Sequence, residues 1–143
     1  MSNSVVVVIN HKPTPKERPS YNFKTRTVYT PKNTLSYESY VKHCGKLAMK
    51  GKKKFTLETP LRIKVTFVFA IPKSWNKSKK EQAKNGEIFP TGAKIGDTDN
   101  LLKSLLDGLN KVVWEDDRSI VEIEARKKYG DENQTIALIE VVE

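Results

Sequence analysis

Leu61 to Ile71 constrains the fold of this chain more than any other stretch. Leu61, Ile63, Val65, Phe67, Phe69 and Ile71 fall on one side of an extended backbone, with Arg62, Lys64 and Thr66 on the other. A period of two predicts a strand with one face in a core and one toward water. Such a strand needs partners, and three further segments offer them. Val5 to Ile9 is short and β-branched, and reads as a buried strand. Residues 119–129 and 134–142 alternate on either side of Gly130-Asp131-Glu132-Asn133, which predicts a hairpin. A short strand through residues 112–114 precedes the Asp116-Asp117 turn.

Three other segments carry helical spacing. Over 34–50, Tyr37, Tyr40, Val41, Cys44, Leu47 and Ala48 recur three and four apart, with Asn33 or Thr34 as the cap and Gly51 as the stop. Ser78 with Glu81 is a capping-box pattern for a short helix near 79–85. From about Asn100 to Leu109, Leu101, Leu102, Leu105, Leu106 and Leu109 make a buried stripe. Strands and helices mix without a βαβ rhythm. The expected class is α+β: a two-layer sandwich in which helices pack on a mixed sheet. At 143 residues the chain is expected to be one domain, 1–143, with 10–33 as a basic, irregular segment that holds one short strand near 26–29.

Charge separates the chain into two parts. Residues 1–94 hold 20 Lys and Arg against 5 Asp and Glu, a net +15, and residues 95–143 carry a net −6. The basic part is the footprint of a polyanion binder, and nucleic acid is the commonest polyanion. In the irregular segment Lys12, Lys16, Arg18, Lys24 and Arg26 interleave with Tyr21, Phe23 and Tyr29. Such a pattern holds phosphates and can stack unpaired bases, or it is a polar loop pinned by a few rings. Lys73, Lys77, Lys79 and Lys80 form a second basic group around Trp75, which is core or rim packing or else a stacking ring. His43 stands alone beside the apolar stripe of its helix and receives no role. A single cysteine, Cys44, allows no internal disulfide. The first nine residues read as a strand rather than a signal peptide, and no apolar run is long enough to span a bilayer.

Against this basic background the acids are clustered. Asp97 and Asp99 stand two apart just before a helix, where extended backbone points them the same way. Lys103 lies one helical turn beyond Asp99 on the same face, and Asp117 sits in a turn able to return a third carboxylate. Carboxylates repel phosphate unless a divalent cation lies between them. Three carboxylates suit Mg²⁺, with Mn²⁺ as the alternative. Such an ion would polarise a scissile phosphate and acidify a bound water, while Lys103 would stabilise charge on the phosphorane oxygens or orient the water. The structural alternative is that Asp97 or Asp99 is a helix cap, that Asp99 and Lys103 are an ion pair, and that Asp116-Asp117 are turn residues. Asp107 shares the Asp99–Lys103 side but lies two turns away. There is no Cys/His set for zinc and no Gly-rich phosphate loop, so zinc chemistry and a nucleotide cofactor are not expected.

Asp97-Thr98-Asp99-Asn100-Leu101-Leu102-Lys103, Leu105-Leu106-Asp107-Gly108-Leu109-Asn110, Val113-Trp114-Glu115-Asp116-Asp117 and Ile120-Val121 closely resemble RusA-like Holliday junction resolvases. The family is often encoded by phages and prophages. The resemblance is specific over about 86–129 and weaker over 34–50 and 61–71. It implies a homodimeric, Mg²⁺-dependent endonuclease of DNA recombination and repair. Such an enzyme binds four-way DNA junctions and nicks two strands of like polarity symmetrically, leaving ligatable duplexes. It further implies that Asp97, Asp99 and Asp117 bind metal and that Lys103 is the essential lysine, with Asp116 competing with Asp117. The implied setting is the cytoplasm of a bacterial or phage-infected cell. Two other readings share the sequence: a non-catalytic DNA-binding module, and a metal nuclease acting on other branched DNA.

Overall fold

A computed structural model describes residues 3–143. The elements are β1 (Ser4–Ile9), β2 (Ser20–Asn22), β3 (Thr27–Tyr29), α1 (Lys32–Ala48), β4 (Leu61–Ala70), α2 (Lys77–Lys84), α3 (Thr98–Leu109), β5 (Ile120–Gly130) and β6 (Gln134–Val141), with a 3-10 turn at Asp117–Ser119. A four-stranded sheet runs β1-β6-β4-β5, and β2-β3 form a separate two-stranded ribbon. β4 pairs parallel with β5 and antiparallel with β6, so the sheet is mixed. α1 and α3 pack on one face of it, as expected of a two-layer α+β fold.

The alternation in β4 places that strand as read. Leu61, Ile63, Val65, Phe67 and Phe69 are buried on the helix side, against Leu101, Leu105 and Leu109 of α3 and Val41 of α1. On the open face Arg62 pairs with Glu122 of β5, and Lys64 lies 3.9 Å from Glu140 of β6. β4 and β6 are the two strands with neighbours on both sides.

The position of β4 overturns the expected hairpin. β5 and β6 do not pair with each other; β4 lies between them. Residues 131–133 step over the end of β4, where Asn133 Oδ1 accepts the Ala70 N–H at 2.9 Å and the Ile71 N–H bonds Gly130 O at 3.0 Å. Local alternation sets which face a strand buries but not which neighbour it takes.

β1 differs from the expected buried strand as well. It is an edge strand with helices on one side alone, so Val5, Val7 and Ile9 are buried while Val6 and Val8 are exposed. The expected strand at 112–114 is instead a pair of bridges from Trp114 to Phe55 and Asn110. α1 starts at Lys32 after Pro31, and Thr34 does not cap it. Thr34 is buried, and its hydroxyl accepts the Glu17 N–H at 3.2 Å, tying the basic segment to the helix. α2 is capped by Asn76, whose Oδ1 accepts the Lys79 N–H at 2.8 Å, rather than by Ser78.

The two core helices meet closely at Gly108. A Cβ there would lie 2.6 Å from Val41 Cγ1 and 3.1 Å from the Glu38 carbonyl oxygen. Backbone cannot swing aside as a flexible side chain does, so Gly108→Ala is expected to destabilise the protein by about 1–3 kcal/mol. Urea unfolding reads this as a lower midpoint at unchanged slope.

Candidate active site

Asp97 to Lys103 sit where the loop from α2 turns into α3. Gly96 has φ +91°, and a Cβ on it would come 2.9 Å from the Pro15 ring. Left-handed backbone and close approach both call for glycine there. The Lys127 ammonium, reaching across from β5, donates to Gly96 O at 3.1 Å and pins the turn.

Asp97 occupies the N-cap position of α3, but its side chain makes no capping hydrogen bond. Asp99 is in the first turn and exposed, and no ion pair joins it to Lys103, also exposed. The two structural explanations for this part of the motif are therefore not used here. Asp97, Asp99, Asn100 and Lys103 instead line a cleft of about 550 Å³ with Lys16 and Arg18.

Around the helix, Asp99 and Lys103 border a second hollow with Leu102, Leu106, Asp107 and Asp117. The structure separates the adjacent acids 116 and 117. Asp116 caps the 3-10 turn, its Oδ1 accepting the Arg118 N–H at 3.0 Å. Asp117 turns toward α3, and its Oδ1 accepts the indole N–H of Trp114 at 2.7 Å. Trp114 is completely buried, so this donor is fixed in place and orients the carboxylate. Asp107 borders the same hollow as Asp99 and Asp117. Its carboxylate takes the Lys16 ammonium at 3.0 Å, which also holds Glu38 at 2.6 Å.

Lys16 thus has its charge offset by two carboxylates, unlike Arg18 on the cleft rim. The Lys16 N–H bonds Asn100 O at 2.9 Å and Ser104 Oγ donates to Thr14 O at 2.5 Å, so the basic segment lies along α3. Lys12, Lys24 and Arg26 are exposed, as are Lys73, Lys77 and Lys79, while Lys80 is half-buried. Lys79 stands 4.0 Å over the Trp75 ring, and Trp75 meets Tyr129 edge-on at 5.1 Å. Trp75 is therefore rim packing that supports a cation.

A model of the family described as endodeoxyribonuclease RusA matches residues 10–140. The chain belongs to the RusA endodeoxyribonuclease family. It is an enzyme of the DNA-cutting class, and the match takes in the basic segment, both core helices, β4, β5 and all of β6 but its last residue, while β1 lies before it. The chain is also similar to uncharacterized protein YqaN of Bacillus subtilis (strain 168), 27% identical over 135 residues, 92% of each chain. No helix among the described residues is long and apolar enough to cross a membrane.

The RusA motif acids form a donor set of carboxylates alone, suited to a hard divalent ion. Among the described residues no three His, Cys, Asp or Glu side chains converge into a metal cage.

Sequence reasoning missed two supporting residues, Trp114 as the donor to Asp117 and Lys127 as the anchor of Gly96. A tryptophan three residues before the acid was visible, but its ring nitrogen's direction was not.

Burial pushes the Asp117 carboxyl above the ordinary range; the Trp114 bond pulls it down, and Asp107 and Asp116 push it up again. The net shift is upward, so the folded state holds this proton to higher pH than the unfolded chain. Stability is then lost as pH rises from the ordinary carboxylate range through the raised value. Asp117→Asn removes that loss. In metal-free buffer the variant is expected to melt above the native protein near neutral pH, with the gap closing in acid below the ordinary range.

Proposed function

We propose that this chain is a Mg²⁺-dependent junction-resolving endonuclease that acts as a homodimer, placing paired symmetric nicks in a four-way DNA junction. The observation that carries the reading is the pair Asp97 and Asp99, unused as cap or ion pair, beside Lys103 and faced by an oriented Asp117. Asp97, Asp99 and Asp117 would supply the ion's carboxylate ligands, directly or through water. When bound, it would supply Lewis acidity toward the phosphate and a more acidic water.

The chain's own groups do the rest. Trp114 holds Asp117 in one orientation. Lys103, free of any carboxylate partner within ion-pair distance, meets the negative charge that builds on the phosphate oxygens. Attack by water at phosphorus with loss of the 3′ oxygen leaves a 5′ phosphate and a 3′ hydroxyl, the ends that a ligase rejoins. Arg18 and the exposed lysines hold the flanking phosphates without reading sequence.

A homodimer suits two coordinated cuts in a substrate of roughly two-fold symmetry. The free edge of β1 supports it. Val6, Val8, Tyr40 and Leu47 line a groove there that contains no Lys, Arg, Asp or Glu, on a chain of net charge +9. Such a strip is unsuited to DNA and suited to a second copy.

Nicking of a labelled four-way junction in Mg²⁺, then in excess EDTA, tests the reading. Cutting in Mg²⁺ that stops in EDTA and returns on adding Mg²⁺ is expected. Tight binding with no cut under either condition would instead favour a DNA-binding module whose acids are structural.

A further inference from the structure

The β2-β3 ribbon lies outside the core and carries features that a slack loop would lack. Its register is Ser20↔Tyr29, Tyr21↔Val28 and Asn22↔Thr27. Asn22 Oδ1 accepts the N–H groups of Lys24 at 2.9 Å and Thr25 at 3.2 Å, which closes the turn. The hydroxyls of Thr25 and Thr27 meet at 2.6 Å, and Arg26 takes the left-handed φ of +56°. This is a shaped turn.

The ribbon carries a pair of exposed aromatic rings, Tyr21 within β2 and Phe23 in the turn. Phe23 is 84% exposed and Tyr21 46%, their rings 4.8 Å apart and nearly perpendicular. Burying these rings would stabilise the fold, yet neither reaches the core. An exposed apolar site of this kind marks a partner. Its surroundings say which. From residue 18 to 32 there are four cations, Arg18, Lys24, Arg26 and Lys32, and no acid. Arg18 and Pro19, just before β2, border the cleft that holds Asp97 and Asp99. The ribbon that carries the rings therefore starts at the rim of the candidate active site and is rich in cations.

Cations alone suffice to hold phosphates. Exposed ring faces add something only if the ligand offers flat apolar faces in return. In an intact duplex those faces are covered by stacking; in unpaired strands they are open. We infer that the β2-β3 ribbon is a base-stacking element, in which Phe23 and Tyr21 take unpaired nucleobases beside the cleavage cleft while Lys24 and Arg26 hold the adjoining phosphates. The inference rests on the nuclease reading for its place in the reaction, but not for its ligand.

The test is binding in EDTA, without cleavage, by fluorescence anisotropy. The probes are an oligo-dT strand, a four-way junction and a linear duplex, and the variants are Tyr21→Ala/Phe23→Ala and Phe23→Trp. The double variant is expected to lose roughly 5- to 100-fold in affinity for oligo-dT, with a smaller loss for the junction and under about twofold for the duplex. Phe23→Trp keeps the affinity, and the added indole emission is quenched by oligo-dT but not by duplex.

Equal losses on all three probes, or none on oligo-dT, would overturn the inference. So would dissociation of an oligomer on sedimentation with oligo-dT binding unchanged, because the rings would then face a second copy. Should the double variant unfold, the quenching arm alone decides. A native protein that fails to prefer junction over duplex counts against the junction reading, while the oligo-dT arm still decides the role of the ribbon.

Discussion

Asp99→Asn is expected to lower junction nicking by roughly 10³-fold or more, beyond the 10- to 100-fold typical of changes that merely support a metal ligand. Asp99 is exposed, so the amide fits without strain and the fold should be unaffected. It is also the acid that borders both hollows, the one shared with Asp97 and Arg18 and the one shared with Asp107 and Asp117. An amide is a weaker, uncharged ligand for a hard cation. Binding should move in the opposite direction. In EDTA a carboxylate at the cleft repels the phosphate that Arg18 and Lys103 attract, so the variant should hold a junction at least as tightly as the native protein. Gel-shift and nicking assays on one preparation separate the two effects. A parallel loss of binding and melting temperature would make Asp99 a structural residue.

Junction affinity is expected to fall by about 10³- to 10⁵-fold between 50 and 200 mM salt, the response of a protein making six to ten phosphate contacts. The exposed cations are numerous enough: Lys12, Arg18, Lys24, Arg26, Lys73, Lys77 and Lys79 all stand free of carboxylates within ion-pair distance. The structure further sorts them from Lys16. Lys24→Ala should reduce the slope of log affinity against log salt by about one. Lys16→Ala should leave the slope nearly unchanged, because Glu38 and Asp107 already offset that charge. Anisotropy titrations at four salt concentrations give both slopes. A flat salt response would contradict phosphate-led binding.

What was legible in the sequence was what depends on near neighbours. The period-two pattern of Leu61–Ile71 named the buried face of β4, and the leucines of α3 named theirs, because each pattern repeats within one element. The placement of the acids at 97, 99 and 117 around α3 was legible for the same reason: two flank a helix start and the third lies one short connection beyond its end. Pairing between distant segments was not legible. Residues 119–142 alternate as a hairpin would, and nothing local says that β4 must lie between the two strands. Lys16 read as a free cation because its partners are 22 and 91 residues away. Val6 and Val8 read as core because a β-branched run does not reveal that its strand lies at an edge. The orientation of Asp117 by Trp114 was not legible either, since an indole donor at that spacing can equally point into the core.

The measurement that bears most directly on the central claim is strand-by-strand mapping of the products from a four-way junction in Mg²⁺, beside a linear duplex of the same sequence. Paired nicks at symmetric positions in two strands of like polarity, rejoined by DNA ligase, are expected, with the duplex uncut. Nicks scattered over both substrates alike, or ends that ligase cannot seal, would contradict that claim.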